Sequence, residues 1–65
     1  SKVVVSTSQN MIIVEGAKSL SVNVAQIDGI IVANKFADSN HYTIPVSSGI
    51  YVVTVGTDTH KVIVK

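Results

Sequence analysis

Leu20-Ser21-Val22-Asn23-Val24-Ala25-Gln26-Ile27-Asp28-Gly29-Ile30-Ile31-Val32 reads as strand, tight turn, strand, and it decides the fold class. Leu20, Val22 and Val24 share one face of an extended chain, while Ser19, Ser21 and Asn23 take the other. That two-residue period belongs to a half-buried strand. Asp28-Gly29 is a strong tight-turn dipeptide. A helix over 29–37 is the one competitor, and Gly29 with the β-branched run after it argues against it.

The same punctuation continues in both directions. Polar or glycine-bearing breaks fall at 6–10, 15–19, 37–40, 47–49 and 56–59. Between them lie seven runs of strand length, roughly 2–6, 10–15, 19–26, 29–36, 41–46, 49–56 and 60–65. Tyr42, Ile44 and Val46 alternate with Thr43 and Pro45, and Tyr51, Val53 and Val55 share a face. Met11-Ile12-Ile13-Val14 and Gly29-Ile30-Ile31-Val32 are instead apolar on both faces. Such runs are either central strands or strands with one face docked on something else. Pro45 cannot donate to a ladder, so its strand lies at an edge or ends there.

Size and composition agree. A chain of 65 residues, 46% of them hydrophobic, makes one domain spanning 1–65. One sheet would leave an apolar face wet, so two layers are required. The expected architecture is all-β, an immunoglobulin-like antiparallel sandwich of about seven short strands.

Composition also excludes functions. Five lysines are scattered along the chain, no arginine is present and the net charge is +1. Phosphate recognition calls for clustered cations, so nucleic acid is not an expected partner. No apolar run reaches the roughly 18 residues of a membrane-spanning helix. Ser1-Lys2 leads straight into a strand-like run without a signal-peptide pattern, and the missing Met suggests a piece of something longer. The absence of cysteine argues mildly against a eukaryotic extracellular module.

Chemistry-bearing constellations are sparse. His41 and His60 stand nineteen residues apart without a carboxylate or thiol at ligand spacing, so no metal site is expected. Ser48, His41 and Asp38 make a nucleophile set on paper, but no nucleophile elbow surrounds Ser48. Glu15, Asp28, Asp38 and Asp58 fall in expected turns, where a carboxylate bonds local amides. Gly56-Thr57-Asp58-Thr59 is a hairpin connection, not a phosphate loop. Tyr42 and Tyr51 offer a sugar-binding face only on paper, since both sit in register with apolar neighbours. The expectation is a noncatalytic domain without cofactor or metal.

The quoted stretch resembles the "apolar-x-apolar-x-D-x-x-G-x-x-V" element of the C-terminal sorting domains of Bacteroidetes. Val46-Ser47-Ser48-Gly49-Ile50-Tyr51-Val52-Val53-Thr54-Val55 is similar to that family's "L-x-x-G-I/V-Y-x-V-x-V" strand. Lys61-Val62-Ile63-Val64-Lys65 resembles its terminal "K-h-h-h-K" strand. In that family the Asp follows directly on an aromatic, whereas here Ala25-Gln26 holds that place and Asp28 adjoins the glycine.

The resemblance implies an immunoglobulin-like domain at the C-terminus of an exported protein. Type IX secretion machinery would carry it through the periplasm and across the outer membrane to the cell surface, where a sortase-like enzyme removes such domains from many cargoes. It also implies that Asp28, Gly29, Gly49 and Tyr51 form the structural signature, with Lys61, Val62, Ile63, Val64 and Lys65 read by the machinery. On that basis, removing 61–65 abolishes export and leaves most of the sandwich able to form. The other reading is a structural or adhesive immunoglobulin-like accessory module that binds glycan or protein through one sheet face.

Overall fold

The computed structural model describes residues 2–65. Seven strands follow in order: β1 Val4–Ser8, β2 Met11–Glu15, β3 Ser21–Gln26, β4 Ile31–Phe36, β5 His41–Pro45, β6 Gly49–Val55 and β7 Asp58–Val64. Among the described residues there is no helix, so none is long and apolar enough to cross a membrane. All pairings are antiparallel. One sheet has the order β1-β2-β5 and the other β4-β3-β6-β7.

Consecutive hairpins supply three of these pairings, but β2–β5 and β3–β6 cross between distant segments, as in a Greek key. This is an immunoglobulin-like sandwich with one departure from the constant-domain arrangement. The fourth strand pairs with the third and leaves the fifth at an edge.

Inward residues from both sheets make one core. Ile12, Val14, Val22, Val24, Ile44, Tyr51, Val53, Val55 and Val64 are buried, with Ala17 and Ala37 closing it from the loops. The alternation read in the sequence matches this for β3, β5 and β6. At one seam of the sandwich β1 lies beside β7. At the other the Lys35 ammonium stands 5.5 Å from the Tyr42 ring centroid, linking β4 to β5.

Two strand boundaries differ from the sequence reading. β1 extends through Ser6-Thr7-Ser8, because these polar residues pair with Ile13, Ile12 and Met11. The break shrinks to Gln9-Asn10, with Asn10 at φ 56°. β7 begins at Asp58, since Val55 pairs with Asp58 across Gly56-Thr57. Gly56 takes φ 60° as the first central residue of that two-residue turn, a position that favours glycine. Glu15 and Asp58 are thus strand residues, not turn residues.

Gly16 has a different constraint. It sits at φ 83°, and a Cβ there would lie 2.3 Å from the Lys2 carbonyl oxygen. The backbone of the leading segment passes directly over it, which a side chain would prevent.

The two doubly apolar runs separate completely. Met11–Val14 falls in β2, the middle strand of its sheet, with Ile12 and Val14 fully buried. Ile30–Val32 leads into β4, an edge strand, and these three side chains are 58%, 58% and 41% exposed. The β3–β4 register shifts at Val24/Ala25, where Val24 faces Ala33 and Ala25 faces Ile31. Val32 is the extra residue of that bulge.

Candidate functional site: one end of the four-stranded sheet

The residues singled out from the sequence come together at one end of the four-stranded sheet. β3 ends at Gln26, which pairs with Tyr51, and Gly49 pairs with Val64 near the end of β7. The Asp28-Gly29 turn, the start of β6 and the Val64-Lys65 terminus therefore share that end.

Each part is positioned by local chemistry. In the turn, the Gly29 N–H donates to the Gln26 carbonyl at 2.8 Å, and Gly29 takes φ 95°. The Asp28 carboxylate accepts from the Ile30 N–H at 3.2 Å, so the side chain fixes the turn in the way expected of Asp. At the start of β6, the Tyr51 ring is buried and its hydroxyl donates to the Ser47 carbonyl at 2.7 Å. This is the tyrosine corner found at the same bend of immunoglobulin-like sandwiches. Gly49 lies two residues earlier on the same face, and the ring folds back over it, 3.6 Å from where a Cβ would stand. The glycine leaves room for the ring to reach back along the strand.

β7 is the outer strand of its sheet. Val62 and Val64 turn inward, with Val64 only 2% exposed, while Lys61, Ile63 and Lys65 face solvent. Val64 is a core residue, so removing 61–65 also takes one of the eleven buried side chains out of the core.

Two open grooves flank this end. One, of about 490 Å³, is lined by Asn10, Gln26, Val32, Val46, Ser47 and Tyr51 together with Pro45. The other, of about 400 Å³, lies between Thr7-Ser8-Gln9 and Ile63 with Lys65. Of the eight exposed large hydrophobic residues, six cluster here: Ile27, Ile30, Ile31, Val32, Ile50 and Ile63. The apolar surface is concentrated, not scattered, which marks it as an interaction surface.

The remaining candidates are dispersed. His41 opens β5 and its Nδ1 lies 2.6 Å from the Glu15 carboxylate, an exposed cross-strand pair. Sequence reading missed this contact because the partners are 26 residues apart. Ser48 lies beyond the other end of β5, on the order of 13 Å of strand away from His41. Ser48, His41 and Asp38 do not form a constellation. His60 pairs with Val53 in β7, at the edge opposite β5, and its Nε2 is buried without a hydrogen-bond partner. Among the described residues no three His, Cys, Asp or Glu side chains stand close enough to hold a metal ion. Tyr42 and Tyr51 stand at opposite ends of the sandwich and make no common aromatic face.

No curated protein matches this sequence. A family match does cover residues 1–64, nearly the whole sandwich and all of the end described above except Lys65. The chain belongs to the DUF6383 family, a domain of unknown function.

Proposed function

We propose that the chain is a noncatalytic C-terminal sorting domain, which directs an attached protein across the outer membrane to the cell surface. One observation supports this reading above the rest. The segment resembling the terminal sorting motif, Lys61–Lys65, lies on an outer strand with one side unpaired and with Lys61 and Ile63 exposed. That edge lies beside β1 without a ladder to it, so its amides and carbonyls are available to an incoming strand, and lysines restrain indiscriminate pairing. The partners in this reading are proteins of the secretion machinery and a sortase-like enzyme, with no cofactor.

The test is a periplasmic reporter fused to the N-terminal side of the domain, in a host with type IX secretion. Replacing Lys61, Ile63 and Lys65 together by Ser alters only exposed side chains and is expected to trap the reporter in the periplasm, folded. Full export of that triple variant would sink the proposal. Deletion of 61–65 is the weaker experiment, because Val64 leaves with it.

A second reading, an accessory module that binds glycan or protein, draws on the exposed isoleucines at the same end. It predicts export indifferent to β7.

A further inference from the structure

Cross-strand register sorts the outer face of the four-stranded sheet into rows. Lys61, Val52, Ala25 and Ile31 form one row across β7, β6, β3 and β4. The neighbouring row is Thr59, Thr54, Asn23 and Asn34, polar throughout. On the other side of the first row, Ile63 pairs with Ile50. Directly opposed residues share a face, so this face is apolar over the half nearest the β3–β4 turn. The other half is polar apart from Phe36, which lies opposite Ser21 and is 61% exposed. Ile63 and Ile31 are 60% and 58% exposed.

The charges of the apolar half lie at opposite margins. Lys61 and Lys65 alternate with Ile63 along the β7 margin, and Asp28 stands in the turn at the β3–β4 margin. We propose that this half-face is a self-association surface, covered by a second copy of the chain in a two-fold, sheet-on-sheet pair.

Charge selects the axis. A two-fold axis parallel to the strands lays apolar half on apolar half and sets the β7 margin of each copy over the turn margin of the other. Lys65 of each copy then faces Asp28 of its mate, twice by symmetry. An axis across the strands sets lysine against lysine. The strands of the two copies stay roughly aligned, the usual geometry for stacked sheets.

Area sets the strength. The body measures 28 by 22 by 15 Å, so its broad face is about 600 Å². The apolar half is about 300 Å² of this, so two copies cover only about 600 Å² in total, below the roughly 1,200 Å² of the smallest specific interfaces. The pair is therefore weak and depends on concentration.

Sedimentation of the 65-residue chain up to about 1 mM tests this. The parent is expected to dimerise, and Ile31→Thr with Ile63→Thr to weaken the dimer at least about tenfold without changing the circular dichroism spectrum. Lys65→Asp and Asp28→Lys each set like charges together and lose the dimer. An equimolar mixture of those two variants restores both ion pairs and the association. A parent that stays monomeric throughout overturns the proposal and leaves the face to some other partner. So does an isoleucine double variant that pairs as tightly as the parent, or a mixture no tighter than its components.

Discussion

Met11-Ile12-Ile13-Val14 and Gly29-Ile30-Ile31-Val32 are nearly the same text, yet the fold treats them oppositely. The first becomes a middle strand, flanked by β1 and β5, with Ile12 and Val14 removed from water. The second leads into an outer strand, where a bulge disrupts the register and leaves Ile30, Ile31 and Val32 in solvent. Hydrophobicity says that a segment would gain from burial. It does not say whether this chain supplies the cover. In β2 the cover comes from β3 and β6 across the sandwich; at the start of β4 no part of the described chain supplies it.

Amide hydrogen exchange gives the widest test of that contrast. Amides of β2 should exchange only through global unfolding, while amides on the unpaired side of β4 should exchange almost as in a free peptide. Equal protection of both strands in dilute solution would break the comparison.

One substitution made at both places comes next. Ile12→Thr removes buried methyl surface and buries a hydroxyl, so it should cost about 2–4 kcal/mol in chemical denaturation. Tyr51→Phe leaves the packing and deletes only the hydroxyl bond to Ser47, a loss of about 1 kcal/mol. Ile31→Thr alters an exposed residue and should shift stability by less than about 0.5 kcal/mol in either direction. The exposed His41–Glu15 pair belongs at the same small scale, and His41→Gln should change stability by no more than about 0.5 kcal/mol.

Much of the fold was legible because it depends on local physics. Alternation in Val22/Val24 and Tyr51/Val53/Val55 named inward faces correctly, and Pro45 ends an edge strand as its missing N–H requires. The Asp28-Gly29 turn and the reach of the Tyr51 hydroxyl to backbone also follow from single residues. What stayed hidden depends on pairing. Ser6-Thr7-Ser8 looks like a loop until Met11-Ile12-Ile13 lies opposite. Gly16 looks like an ordinary turn glycine until the Lys2 backbone is placed above it. The clustering of Asp28, Tyr51 and Lys65 at one end follows from the β3–β6 and β6–β7 registers, which single strands do not encode.

The crossed connections also decide when this domain can fold. β1–β2, β3–β4 and β6–β7 are neighbours along the chain and close within microseconds as hairpins. Each hairpin alone has a wet apolar face. The pairings that join them, β2 with β5 and β3 with β6, bridge about thirty residues each and close loops that must be ordered first. Topologies of this kind assemble in milliseconds to seconds. During synthesis the β1–β2 and β3–β4 hairpins lack the partners that join them until β5 and β6 have emerged, so the first half of the chain packs only when the second arrives.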